Sequence, residues 1–228
     1  GPVIVVEELS ETQQLEIALA NYGDQGGELL DRARRTSGLQ ELVSIPLYLS
    51  ALLQNAPNGV MPTTKEEVMR LFVAEHERAP ESAEALRQGL HGVHVDVLTA
   101  LAADATTSAN TVILESRSRV VVTETASRLK SEGQISQEPQ PSDVLDLLVN
   151  YHALSRTVDR RGISFQHQQI QEWYSSHHVE MLMKEAVAGN DEAKRRVRVE
   201  VLNIPTWEEP ILFACERLSR EGEQGVAV

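Results

Sequence analysis

The feature that most constrains the fold is a β-hairpin signal at residues 153–165. Two short β-prone runs flank an Asp-Arg-Arg-Gly sequence at 159–162, whose glycine suits a tight turn. Helical patterns precede it at about 120–130 and at 142–150, and a long amphipathic pattern follows at 166–186. Two helices followed by a hairpin are the skeleton of a winged helix, so we predict a winged-helix-like domain.

The rest of the chain carries mainly helical signals. Ser10 and Gln13 have the spacing of a helical capping box, and the glycine pair at 26–27 breaks the pattern that follows. A β-branched run at 3–6 predicts a buried strand, and residues 81–105 predict one continuous helix. We therefore predict a mainly α protein: a helical bundle, the winged-helix-like domain with a small β-hairpin, and the start of a further helical array.

Composition limits the classes of protein to consider. Hydrophobic residues make up 41% of the chain and charged residues 24%, which is enough apolar material for a core. The net charge of −13 argues against broad binding to nucleic acid or anionic lipid, because both need clustered positive charge. A single cysteine, Cys215, fits a reducing compartment and is expected to be a buried structural thiol.

No apolar run approaches the length of a membrane span, and there is no secretory signal. The first two residues are Gly-Pro with no Met, which resembles the scar of a removed tag. We therefore expect a cytoplasmic protein, of which this chain is an excised piece.

Signatures of catalysis and of metal binding are mostly absent. The chain contains neither a G-x-x-x-x-G-K-[ST] phosphate-binding loop nor a G-x-S-x-G nucleophile elbow. His91, His94 and Asp96 have a spacing that could suit a metal, but no further ligand completes a set, so we expect surface or interhelical histidines. His177 and His178 are adjacent and are expected to be solvated polar residues on different faces of a helix.

Winged helices often bind DNA through basic residues on the wing and on the helix before it. The predicted wing carries Arg156, Arg160 and Arg161, but the helix at 142–150 holds two Asp and no Lys or Arg. That helix is a poor surface to present to phosphate, so DNA binding is a weaker alternative.

Two motifs occur in an order that resembles a known family. The first is Pro-Leu-x-Leu beginning at Pro46 in an apolar helix, and the second is an F-x-H-x-x-x-Q-E-[FYW] signature directly after the hairpin. This order resembles the helical and winged-helix portion of NACHT-type STAND nucleotide-binding switch proteins. The second signature is matched by Phe165, His167, Gln171, Glu172 and Trp173.

The resemblance covers nearly the whole chain and implies a division into domains. Residues 1–8 would be the last strand of a truncated nucleotide-binding domain, and 9–80 a helical domain. Residues 81–189 would form the winged-helix-like domain, and 190–228 the start of a second helical domain. The phosphate-binding loop and the Mg²⁺-binding acidic strand would lie before this chain, so this segment is not expected to hydrolyse nucleotide or to hold it tightly by itself.

The resemblance also implies two nucleotide-binding residues. In the family, the helix proline packs on adenine, a role that corresponds to Pro46, and the histidine donates to the β-phosphate of ADP, a role that corresponds to His167. An imidazole can donate to a phosphate oxygen, and more strongly when it is protonated. Plainer interpretations stay open, because Pro46 can simply kink a helix or start a new one, and His167 can be a capping or core residue.

The function implied is regulatory. The segment would stabilise the closed, ADP-bound state of an intact ATPase, and exchange for ATP would release the winged helix and permit self-association. Partners would be its own nucleotide-binding domain, the effector and sensor domains of the same chain, and further copies. Such proteins act in immune or stress signalling, including prokaryotic defence. A DNA-binding winged-helix regulator and a structural protein-interaction module remain as alternatives.

Overall fold

The computed structural model contains mostly helices and one small three-stranded antiparallel sheet, which confirms the predicted fold class. The chain divides into two compact units, residues 1–76 and 77–228. The strand predicted at 3–6 lies outside the described residues, and the predicted domain limits stay predictions. The structure describes residues 8–36, 39–55, 62–90, 92–151, 153–159 and 161–222.

The first unit opens with α1 (Glu11–Arg35), which the predicted capping box of Ser10 and Gln13 begins. The helix breaks at Gly23, not at the glycine pair 26–27, because Gly23 has φ 57° and ψ −146°, a conformation that favours glycine. Its two arms fold back on each other, since Arg34 near the end donates to the carbonyl of Glu11 at 3.0 Å.

A 3₁₀ turn, Leu42–Ser44, precedes α2 (Pro46–Asn55), and α3 (Lys65–Arg78) follows. Pro46 therefore begins a helix and does not kink one. Proline suits the first helical position because its missing N–H would have no partner there. The largest fully buried side chains of this unit are Tyr48, Leu30, Leu39, Leu49, Leu53 and Met69.

The second unit begins with α4 (Pro80–Leu90) and α5 (His94–Thr107). The prediction of one helix over 81–105 was wrong. Gly92 has φ 85°, which ends the first helix and lets the chain turn before the second begins.

The winged-helix-like part follows the order helix, strand, helix, helix, strand, strand, helix. The sheet consists of β1 (Val112–Leu114), β2 (Leu154–Arg156) and β3 (Gly162–Phe165) in the order β1-β3-β2, and Ile113 of β1 pairs with Ile163 of β3. The hairpin is confirmed, but no sequence pattern predicted the three-residue strand β1. The elements after α5 are β1, α6 (Glu115–Ser131), α7 (Pro141–Tyr151), β2, β3 and α8 (Gln168–Val187).

The chain continues through α9 (Asp191–Arg196), a π-helical turn, a 3₁₀ turn and α10 (Glu208–Arg220). α8 packs against both α5 and α10, so it is the central helix of the unit. A cluster of Val179, Leu182, Trp207 and Ala214 fills part of the space around it. Among the described residues, no helix combines the length and the apolar character that crossing a bilayer requires.

Candidate functional site

The candidate site is the junction between β3 and α8, where the F-x-H-x-x-x-Q-E-[FYW] signature lies. The backbone N–H of Gln166 donates to the carbonyl of Ala153 at 2.8 Å, which ties the junction to the residue before β2. His167 follows with an extended backbone and is the N-cap residue of α8. Its carbonyl accepts from the N–H groups of Ile170 and Gln171, so the sequence turns into a helix directly after this histidine.

The imidazole of His167 is exposed and makes no capping hydrogen bond. His167 is therefore not a core residue, and although it occupies the N-cap position of α8, its side chain does not cap the helix. The side chain of an N-cap residue usually accepts a hydrogen bond from the backbone N–H two or three positions later. The side chain of His167 accepts no such bond. The ring is thus available to a group outside this unit.

Aromatic residues in and next to the signature form a buried base beneath the junction. Phe165 and Tyr174 have ring centroids 6.1 Å apart, and Trp173 meets Tyr174 edge-on at 4.9 Å. Burial raises the pKa of the Tyr174 hydroxyl well above its usual value. These rings fix the first two turns of α8 on the sheet and so fix the direction in which the helix starts.

Gln171 points inward, which the sequence left undecided. Its side-chain N–H group donates to the Thr106 hydroxyl and to the Asn110 carbonyl, both at 3.3 Å. Thr106 in turn shares a hydrogen bond of 2.8 Å with Ser175. This buried polar network sets the register between α5 and the beginning of α8. Glu172 is half-buried and accepts from the side chain of Gln168 at 2.8 Å.

A cavity of about 160 Å³ lies beside this network, between the end of α5, the start of α8 and the start of α10. Glu172 and Glu209 line it, and among the described residues that border it none is basic. Its charge is therefore unsuited to a phosphate.

The middle of α8 is held by a buried ion pair that no local sequence pattern could have revealed. Arg217 on α10 donates to the Glu180 carboxylate at 2.6 Å and to the Ser176 hydroxyl at 2.9 Å. Its guanidinium also lies 5.5 Å from the centroid of the Trp173 ring. α10 and α8 are thereby joined by charge as well as by apolar packing.

The wing offers little positive charge to a ligand. Arg156 is bound by Glu115 at 2.8 Å and by Asp146 of α7. Arg160 lies outside the described residues, and Arg161 is exposed. α7 carries two aspartates and no basic residue. Arg156 of β2 forms its ion pairs inside this unit, so its charge is not available to a ligand.

The other residues singled out in the sequence, the histidines near residue 94 and the single cysteine, show no catalytic or metal-binding arrangement among the described residues. His94 lies between helices with its Nε2 3.0 Å from the carboxylate of Glu77, and His91 lies outside the described residues. Within the described ranges, no group of three or more His, Cys, Asp and Glu side chains could hold a metal ion. Cys215 is half-buried, and burial together with Glu216 raises the pKa of its thiol, which is the opposite of nucleophile activation.

Pro46 is half-buried at the start of α2. It belongs to the first unit and His167 to the second, so the expectation that both line one nucleotide cavity stays a prediction. No protein-family model matches this chain, and no curated protein matches it.

Proposed function

We propose that this chain is the nucleotide-sensing regulatory segment of a NACHT-type STAND signalling NTPase. The observation that carries the proposal is the state of His167: an exposed imidazole at a rigid strand-to-helix junction, with no capping bond to hold it. A residue kept for structure alone would be expected to pack or to cap. An exposed ring on a well-packed base suits a ligand that arrives from another domain.

The chemistry of the junction supports a phosphate contact. The first N–H groups of a helix point outward and carry partial positive charge, which favours an anion near the helix start. An imidazole beside them adds a donor whose strength increases on protonation. His167 would thus donate to the β-phosphate of ADP, and Pro46 would offer an apolar ring to the adenine. Mg²⁺ and the phosphate-binding loop would come from a nucleotide-binding domain earlier in the intact protein.

In this proposal the winged-helix-like part is a two-state element. The ADP-bound state keeps it against the nucleotide-binding domain through His167, and exchange for ATP removes that contact. A ligand can shift such an equilibrium only by its difference in affinity for the two states. The contact of His167 with the β-phosphate would supply that difference, because this phosphate is terminal in ADP but carries the γ-phosphate in ATP. Release would expose surfaces for self-association in the cytoplasm and pass the signal from sensor to effector domains of the same chain.

The test is ADP retention by the intact protein, purified with its bound nucleotide. His167→Ala is expected to accelerate ADP release by about tenfold or more, since a hydrogen bond to a charged group contributes about 1.5–3 kcal/mol. The same variant should increase assembly in the absence of a trigger, measured by light scattering. ADP release unchanged by this substitution would remove the proposal.

Two further variants separate ligand contact from folding. His167→Gln keeps a donor at the same position and should retain part of the ADP affinity. Gln168→Ala changes the neighbouring exposed residue at the start of α8 and should leave ADP release near the unmodified value. A cheaper check is to read the sequence encoded upstream of this chain, which should contain G-x-x-x-x-G-K-[ST].

A further inference from the structure

The second unit has a long groove that the nucleotide proposal does not use. It lies between α5, α6, α8 and α9 and has a volume of about 680 Å³. Residues that border it on α6 run from Arg117 to Glu132, which corresponds to about 22 Å, or about four helical turns. We call it the α5–α6 groove; its length suits a helix that lies along it.

Two ion pairs join α5 to α6 along the groove. Arg117 of α6 donates to Asp104 of α5 at 2.6 Å, and Arg128 of α6 contacts Asp96 of α5 at 3.2 Å. They lie at two points along the groove, and they pair Arg117 and Arg128 with carboxylates of the same unit. Asp104 and Arg128 are therefore not free charges for a ligand to neutralise.

The charge left on the groove is negative. Five carboxylates and three guanidinium groups border it, and the third guanidinium, that of Arg196, is paired with Glu200 at 3.0 Å. Glu124 on α6 and Glu185 on α8 border the groove from two different helices, and both are exposed. Glu124 is near enough to Arg117 to help raise the pKa of that guanidinium, and Glu185 accepts from the side-chain amide of Asn190 at 3.4 Å, but neither carboxylate is in a close ion pair with a described residue. A partner with basic residues along both edges would meet these two carboxylates.

The surface between these edges combines small apolar side chains with the hydroxyl-bearing side chains of Thr99, Thr107 and Thr125. Ala100 and Ala103 of α5 and Val121 of α6 border the groove, and Met181 of α8 contributes a side chain that is 43% exposed. Small residues allow another backbone to approach closely, and methionine adapts its shape to a bound surface. An exposed methionine between two helices with small side chains is therefore suited to the apolar stripe of a partner helix.

The two adjacent histidines also border this groove, contrary to the expectation that they are solvated on different faces. The Nδ1–H of His177 donates to the Trp173 carbonyl at 3.1 Å, and Arg196 donates to Nε2 of His178 at 3.2 Å. Neighbours on a helix are about 100° apart, so one broad groove can contact both. Burial, assisted by nearby arginines, lowers the pKa of each ring to about 4, and both are therefore neutral at pH 7.

We propose that the α5–α6 groove binds an amphipathic helix of a partner protein, with a stripe of small apolar residues facing Met181 and with Lys or Arg on both edges facing Glu124 and Glu185. The occupant is assigned by charge complementarity and by the length of the groove. The proposal does not depend on nucleotide binding, so each can fail without the other.

The test uses the whole 228-residue chain and a synthetic 16-residue helical peptide with an Ala/Leu stripe flanked by lysines, labelled for fluorescence anisotropy. A second peptide has glutamates in place of the lysines. The basic peptide is expected to bind at least about tenfold more tightly than the acidic one in about 0.15 M salt. Equal affinity for the two peptides, or no binding of the basic one, would overturn the proposal.

Charge-matched variants separate the groove from the overall charge of the protein. The double variant Glu124→Lys/Glu185→Lys is expected to weaken the basic peptide about tenfold. The control Asp143→Lys/Glu208→Lys makes the same change in net charge at two exposed residues of α7 and α10 that do not border the groove, and it should weaken binding far less. Similar losses in both doubles would assign the binding to net charge and contradict the proposal.

The apolar stripe is tested at its centre. Met181→Lys should abolish binding of the basic peptide, whereas Met181→Leu should keep it, with the fold of each variant verified by circular dichroism. Sedimentation velocity of the chain alone addresses a second copy as the occupant. Self-association that Met181→Lys abolishes would assign the groove to a dimer interface and overturn the assignment to a partner helix.

Discussion

At the scale of single residues, Arg217 is the clearest case of a buried charge that depends on its partners. Its side chain is 7% exposed and that of Glu180 is 14% exposed. Burial opposes ionisation of Glu180, but hydrogen bonds from Lys184 and Arg217 outweigh it and lower the pKa of this carboxyl. Such a pair gives little net stability compared with apolar packing, but loss of one partner leaves a charge in a poorly solvated place.

Arg217→Ala is therefore expected to lower the free energy of unfolding by about 2–3 kcal/mol, at the low end for a broken buried pair because Lys184 still contacts Glu180 at 2.8 Å. Arg195→Ala is the matched control. Its ion pairs with Glu192 and Glu200 are exposed, and such pairs contribute little to stability because water screens them. Urea denaturation followed by tryptophan fluorescence measures both, since Trp173 and Trp207 lie in the same unit. If both variants lost the same free energy of unfolding, the buried pair would contribute no more to stability than an exposed one.

At the scale of elements, backbone conformation decides where helices end in the second unit. Gly92 has φ 85° between α4 and α5, and no atom lies within 4 Å of where its Cβ would be. Ala109, just after α5, has φ 51°, a left-handed conformation that costs a residue with a Cβ about 1–2 kcal/mol. Position 92 thus has glycine, the residue that a positive φ favours, whereas position 109 has alanine, which a positive φ strains.

Opposite substitutions at these two positions should have opposite effects. Gly92→Ala is expected to lower the free energy of unfolding by about 1 kcal/mol, from backbone strain alone because there is space for the methyl group. Ala109→Gly is expected to raise it by up to about 1 kcal/mol, since the relief of strain exceeds the extra entropy of the unfolded chain. Thermal and urea unfolding of the two variants measure this difference. Changes of the same sign would contradict the assignment of strain to Ala109.

The elements that could be predicted from sequence are those with local signals. The hairpin, α7 and α8 have their turn residues and their apolar residues within the segment itself, and all three elements are confirmed. β1 could not be predicted, because it is three residues long and its partner β3 lies about fifty residues later. The break at Gly92 was missed because helix-forming residues surround a single glycine. At the candidate site, sequence identified His167, but its exposure and the partners of Gln171 follow from packing between distant helices.

At the scale of the whole molecule, charge separates the proposed nucleotide switch from a DNA-binding regulator. The sheet order and the wing of the second unit are those of a winged helix, a fold that often binds DNA. The electrostatics are not suited to DNA, because the chain has a net charge of −13, α7 presents Asp143 and Asp146, and Arg156 is bound by Glu115 and Asp146. Binding to a duplex needs clustered basic residues that release counterions from the phosphates.

The chain is therefore expected to give no gel shift with duplex DNA at about 50 mM salt and about 10 µM protein, conditions in which non-specific DNA-binding domains are bound. Asp143→Lys/Asp146→Lys is a gain-of-function comparison, because it puts two positive charges on α7 and removes one partner of Arg156. Weak, salt-sensitive binding should appear in this double variant, since the fold itself can present α7 to a groove. A salt-sensitive shift with the unmodified chain would instead favour the DNA-binding regulator, because the exposed Arg161 and its neighbours would then outweigh the acidic face of α7.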